Sequence, residues 1–187
     1  GIPNGGVGGA GDSPYGIARA GAFMGKKILE TELGSKWTYA SEITPSLLAR
    51  KGFNYLPLSM LGSDFLKQYK QVDDVLSTIK PDTKYPVRAA LSFPIRENYR
   101  CSLVESLLRL VAAPKGAKHE EAVLRQIGES MLLSHAGYSE MGLGCKETDQ
   151  MVDLLMALGP DKGIYGARIS GGGSGGTVVV THSIDTN

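Results

Sequence analysis

The six residues Gly171-Gly172-Gly173-Ser174-Gly175-Gly176, preceded by Ser170, stand between two runs of strand-forming residues near the end of the chain. Residues 164–169 and 177–182 are rich in β-branched and aromatic side chains, so a strand, a loop and a second strand are expected there. A two-residue turn is enough to close a hairpin, and this loop is three times that length. The surplus matters because consecutive backbone N–H groups with no side chains in the way can form a concavity for phosphate oxygens. A flexible linker or a plain hairpin turn is the alternative reading. The chain has 25 glycines in 187 residues, about twice the ordinary share, and the excess sits at its two ends.

Upstream of this loop the pattern is helical. Ser13 and Pro14 suit the cap and first position of a helix carrying Ile17, Ala20, Gly21, Met24 and Ile28 on one face, with Gly34 as its stop. Thr44-Pro45 opens a short helix, and Ser63 is expected to cap another through Phe65, Leu66 and Tyr69. Residues 80–94, with Pro81, Pro86 and Pro94, read as an extended connector around a strand at 87–93. Pro94 then begins a helix that buries Ile95, Tyr99, Leu103, Leu107 and Leu110 and stops at Pro114. A further helix is expected from about His119 to Ala136 on Val123, Ile127 and Met131. A last one covers roughly 147–158, with Glu147 and Asp149 where the helix dipole favours carboxylates. Helices followed by strands indicate an α+β fold with helices packed on an antiparallel sheet.

Composition narrows the function classes. Twenty Lys+Arg against nineteen Asp+Glu leave a formal net charge of +1, without the basic footprint of a nucleic-acid binder or a membrane-surface protein. No apolar run approaches the ~18 residues of a membrane span. Two cysteines, Cys101 and Cys145, cannot build a disulfide framework, which points to a reducing, cytoplasmic setting.

The glycine loop nominally matches three motifs and fails each on context. Its G-x-S-x-G string needs a strand–turn–helix, whereas residues 177–180 read as strand. Its G-x-x-x-x-G string has Thr177 where a P-loop needs lysine. Its G-x-G-x-x-G string is followed by only eleven residues, too few for a helix and another strand. The same string at Gly6-Val7-Gly8-Gly9-Ala10-Gly11 has only five residues before it, so the strand of a dinucleotide fingerprint is missing; an anion or sugar site at the following helix remains open. His119, His135 and His182 are scattered, so no metal site is assigned. Adjacent Ser134 and His135 point about 100° apart on a helix and cannot form a dyad; His135 reads as a packed or capping residue. Asp73-Asp74 and Glu120-Glu121 read as solvated faces or helix starts, and Cys145 as a small buried hydrophobe.

The order of these segments is more specific than any one of them. Ser134-His135-Ala136-Gly137-Tyr138-Ser139, then Gly142-Leu143-Gly144-Cys145 with Glu147 and Asp149, then residues 165–176, resembles the C-terminal part of the GHMP sugar kinases. Galactokinases of that family place a Ser-His helix end, a Cys-led helix start and a glycine-rich third motif in this order. Val7-Gly8-Gly9, Tyr15-Gly16, Arg19, Gly21-Ala22-Phe23-Met24-Gly25 and residues 94–100 are most similar to the L-arabinokinase branch. The family's main phosphate loop and the catalytic Asp and Arg of galactokinases have no match here, and no catalytic residue is assigned.

The resemblance implies a ferredoxin-like α+β C-terminal domain with additional helices over residues 1–187. On this reading the chain is a fragment whose N-terminal kinase domain and closing helix and strand lie outside it. It implies the C-terminal portion of an ATP-dependent monosaccharide 1-kinase, using ATP and Mg²⁺, inactive as this chain alone. It places Gly171, Gly172, Gly173, Ser174, Gly175 and Gly176 by the nucleotide phosphates and Tyr15 at the sugar. The partners implied are ATP, the sugar and the N-terminal kinase domain, with no nucleic acid and no membrane. A stand-alone, non-catalytic α+β module that binds a ligand or partner through the same loop is the alternative.

Overall fold

The computed structural model describes residues 13–112, 120–173 and 176–183. These hold helices α1 (Pro14–Leu33), α2 (Pro45–Arg50), α3 (Gly62–Tyr69), α4 (Val87–Val111), α5 (Glu120–Glu140) and α6 (Lys146–Leu158). The strands are β1 (Met60–Leu61), β2 (Lys84–Tyr85), β3 (Ile164–Ser170) and β4 (Thr177–His182), paired as two antiparallel sheets, β1 with β2 and β3 with β4. The architecture is α+β, as expected. Among the described residues no helix is long and apolar enough to cross a membrane. The chain divides into two compact units, one running through Tyr99 and including Glu140–Leu143, the other containing Arg100–Ser139 and the residues from Gly144 onward.

In the first unit α1 is delimited by its own sequence. The Ser13 hydroxyl accepts the Gly16 N–H at 3.0 Å, Pro14 takes the first position, and Gly34 (φ 61°) ends the helix in the left-handed conformation. Gly21 and Gly25 lie one turn apart against the first half of α4. A Cβ on Gly25 would stand 2.8 Å from Leu91 Cβ, and one on Gly21 3.1 Å from Ala90 Cβ. The core around them includes Met24, Ile28, Leu48, Phe65, Tyr85, Leu91 and Ile95.

Four local expectations are corrected here. Residues 87–93 are not a strand but the opening of α4, and Pro94 lies inside that helix rather than at its start. Val87, Leu91 and Ile95 recur every four residues and are all buried, so tertiary burial carries the helix across a residue that lacks an N–H. Farther along α4, Leu107 is buried, while Tyr99, Leu103 and Leu110 are exposed. Helix α3 starts at Gly62, with Leu61 as its cap residue rather than Ser63; a Cβ on Gly62 would fall 1.9 Å from the Lys80 carbonyl oxygen.

Asp73 and Asp74 are not a solvated pair. Asp74 receives a two-pronged bond from the Arg19 guanidinium, 2.9 Å at each prong, and its side chain is buried. The Arg19 bonds hold the Asp74 carboxyl down at about 2, against the opposing effect of burial and with help from Ser77 and the Leu76 N–H. Asp73 pairs with Lys36 and, at 3.9 Å, Lys27. Beside them Glu30 is buried with Lys26 at 3.0 Å. Burial pushes the Glu30 carboxyl up, but the Trp37 N–H and then Lys26 and Lys36 outweigh it and hold it below its ordinary range.

In the second unit α5 continues through Gly137 to Glu140. It crosses β3 where two glycines meet. A Cβ on Gly128 would fall 1.8 Å from the Tyr165 carbonyl oxygen, and one on Gly166 would fall 2.4 Å from Gly128 Cα. Helix α6 packs on β3 and β4, led by Cys145 in extended conformation, with Glu147 and Asp149 in its first turn. The β3–β4 register runs Ser170↔Thr177, Ile169↔Val178 and Ala167↔Val180, with an irregularity between Ile164 and Gly166.

Candidate functional site

The glycine loop joins β3 to β4, so its context is strand–loop–strand, and the nucleophile-elbow string is structurally excluded. Ser170 and Thr177 close the ladder at its base. Gly171 and Gly173 have φ of 73° and 77°, a backbone region that side chains disfavour, while Gly172 between them is not in it. Among the described residues, a Cβ built on Gly171 or Gly172 meets nothing within 4 Å, so this backbone is open on that side. Gly176 is tighter, with its Cβ position 3.1 Å from the Ser170 carbonyl oxygen. Ser174 and Gly175 lie outside the described residues, as does the glycine cluster of residues 5–11.

One face of α5 runs along β3 toward this loop. After the contact at Gly128, Met131 receives the Thr181 hydroxyl at its sulfur. His135 Nδ1 accepts the Ile169 N–H at 3.3 Å, and the Tyr138 hydroxyl donates to the Gly171 carbonyl at 2.8 Å. Ten residues of helix from Gly128 to Tyr138 rise about 15 Å. The five from Gly166 to Gly171 extend about 16 Å in a strand, which is why the contacts stay in step. His135 Nε2, on the other side of the ring, lies 3.1 Å from Asp149 Oδ1 in the first turn of α6. The Arg168 guanidinium stands over the Tyr138 ring at 5.8 Å, and its Nε donates to the Ile169 carbonyl at 3.0 Å.

His135 is thus a packed residue, as read from sequence, but its partners were not foreseen. Tyr138 was visible only as part of a motif string; its spacing from Gly128 and His135 on one helical face was the available signal. Cys145 is half-buried, with its Sγ 3.2 Å from the Thr148 hydroxyl, which itself donates to the Cys145 carbonyl at 2.9 Å. Tyr15 occupies the first turn of α1, half-buried, four residues before Arg19. His182 is exposed, with Nδ1 2.9 Å from the Ser183 carbonyl oxygen. Among the described residues no cluster of three or more His, Cys, Asp or Glu side chains could hold a metal ion.

The elements that build this loop and its supports coincide with a known sequence family. Residues 119–183 match the family described as GHMP kinases C terminal. This stretch is similar to the C-terminal domain of GHMP kinases. It takes in α5, α6, β3, the glycine loop and β4. The similarity of the chain extends beyond this stretch. L-arabinokinase of Arabidopsis thaliana is 27% identical over 205 aligned positions, which take in 91% of this chain and 19% of that protein. The chain therefore spans about a fifth of the length of this relative.

Proposed function

We propose that this region is the C-terminal portion of an ATP-dependent kinase that phosphorylates the anomeric hydroxyl of a monosaccharide, with the loop 171–176 beside the nucleotide phosphates. The observation that carries the reading is the open backbone at Gly171 and Gly172, with Gly171 and Gly173 left-handed on either side of Gly172, at the tip of a hairpin within the stretch that matches GHMP kinases. Phosphoryl transfer spreads negative charge over the phosphoryl oxygens, and fixed N–H dipoles stabilise it without reorganising. A cradle without Cβ atoms lets those oxygens approach the N–H groups directly.

Bound ATP would bring Mg²⁺ to neutralise phosphate charge, but the described residues provide no cluster to hold the ion. The part assigned to this chain is therefore backbone donation to the phosphates. Tyr15 is assigned to the sugar on the strength of the family resemblance and of its partly exposed position at the start of α1. L-arabinose is the proposed substrate, supported by the relative's name and by the resemblance of the Gly21–Gly25 string to the L-arabinokinase branch. Gly21, Met24 and Gly25 are buried in helix packing, so that string marks the lineage rather than the shape of a sugar pocket.

The sharpest test is Gly172→Val in the complete kinase polypeptide. Gly172 has no left-handed φ, and a Cβ built on it meets no described atom within 4 Å, so the fold is expected to tolerate the substitution while an incoming ligand is obstructed. The expected result is a loss of ~100-fold or more in kcat/KM for ATP, about 2.7 kcal/mol. Unchanged ATP kinetics would remove the loop from the nucleotide site.

A further inference from the structure

The end of α5 contacts the glycine loop and the strand leading into it through side chains that do not themselves reach the open outer surface of Gly172. Tyr138 donates to the Gly171 carbonyl at 2.8 Å, and His135 accepts the Ile169 N–H at 3.3 Å two residues earlier. Both side chains are largely withdrawn from solvent, with Tyr138 9% exposed. The carbonyl that Tyr138 holds belongs to a residue with φ 73°, and the next left-handed glycine follows two residues on. A residue with positive φ reverses the direction of the chain, so fixing the Gly171 carbonyl fixes the orientation of the peptide that carries the Gly172 N–H. That peptide unit contains both groups: its carbonyl points at Tyr138, and its N–H therefore points the opposite way. The trans peptide plane thus couples the Tyr138 hydroxyl to the Gly172 N–H at its other end.

We infer that Tyr138 is a positioning residue that aims the Gly172 N–H at the nucleotide phosphates by holding the opposite end of the same peptide plane. His135 fixes the approach of β3 from below, and Nε2 of His135 is in turn set against Asp149. The Arg168 guanidinium stands over the Tyr138 ring at 5.8 Å. This inference rests on the proposed nucleotide role of the loop and adds the residue that sets its donor geometry.

The test uses Tyr138→Phe, which keeps the ring and its packing but removes the hydroxyl. In the complete kinase polypeptide the variant should raise KM for ATP about tenfold while leaving the sugar KM within twofold. Amide exchange in the full 187-residue chain should quicken about fivefold at residues 171–173 and stay unchanged at residues 164–168 and 178–181, at an unaltered melting temperature. His135→Ala is the second variant, expected to speed exchange at Ile169 and, less strongly, in the loop. An equal change in both KM values, or unchanged loop exchange with unchanged ATP KM, overturns the positioning role. If Gly172→Val weakens ATP while Tyr138→Phe does not, the nucleotide reading survives and this inference falls; if Gly172→Val leaves ATP kinetics intact, both fall.

Discussion

Gly128→Ala sets helix propensity directly against packing. In an exposed helix interior the change would stabilise by about 1 kcal/mol, because alanine is the better helix former. Here the new Cβ would lie 1.8 Å from the Tyr165 carbonyl oxygen, where ordinary van der Waals contact begins at 3.4 Å. The obstacle is backbone of β3, at the irregularity between the paired residues Ile164 and Gly166, so no side chain can swing aside. Helix and strand must part by roughly 1.5 Å, which forfeits much of the dispersion energy along the seam. Overpacking of this kind costs about 1–3 kcal/mol and occasionally more, and the absence of a yielding rotamer places this site at the upper end. After the propensity gain, a net loss of about 2 kcal/mol is expected, equivalent to a fall of ~4–8 °C in Tm for a chain of this length. Urea unfolding read from the second unit, by exchange at residues 164–170, is the measurement, since two units need not melt together. A neutral or stabilising Gly128→Ala would refute the close crossing and, with it, the alignment of His135 and Tyr138 on the loop.

Gly25→Ala should destabilise more than Gly21→Ala in thermal melts, because its Cβ site is 2.8 Å from Leu91 Cβ against 3.1 Å from Ala90 Cβ. Asp74→Asn should cost about 1–2 kcal/mol at neutral pH, the shift of its carboxyl to about 2 being discounted for solvent around Arg19. Because this carboxyl is lower when folded than when unfolded, its contribution is complete above pH ~4 and is lost as pH falls through about 2; acid titration of wild type against Asp74→Asn should converge there. Ser174→Ala should keep kcat/KM of the complete kinase within ~10-fold, and total loss of activity would mean that the hydroxyl takes part in chemistry. The 187-residue chain alone should show no sugar kinase turnover in a coupled assay, and a rate near ~1 s⁻¹ would contradict its reading as a portion of the enzyme.

What could be read without the structure was local. Ser13, Pro14 and Gly34 delimit α1 through bonds made within three or four residues, and Thr44-Pro45 does the same for α2. The β3–loop–β4 succession was legible because β-branched runs and glycines contrast sharply. Residues 87–93 misled because Pro86 and Pro94 argue locally for extended chain, while Val87, Leu91 and Ile95 meet their burying partners only in the folded unit. Asp74 looked like a surface acid because its partner, Arg19, is 55 residues earlier. The bond from Tyr138 to Gly171 spans 33 residues and leaves no periodic mark. The resemblance to the GHMP kinases was carried by segment order, which is a property of lineage rather than of any single element.

The acidic pair at residues 73–74 has a consequence for how the first unit answers to ionic strength. The stretch between α3 and β2 leaves Val75 and Leu76 in solvent. It is instead fastened at Asp73 and Asp74, and the two fastenings differ in depth. The Lys36–Asp73 contact is half in water, where added salt screens it within a few ångströms. The two-pronged Arg19–Asp74 contact is sheltered on its acidic side and retains its geometry. Raising salt is therefore expected to weaken the Lys36–Asp73 fastening first, while Arg19 of α1 keeps hold of Asp74.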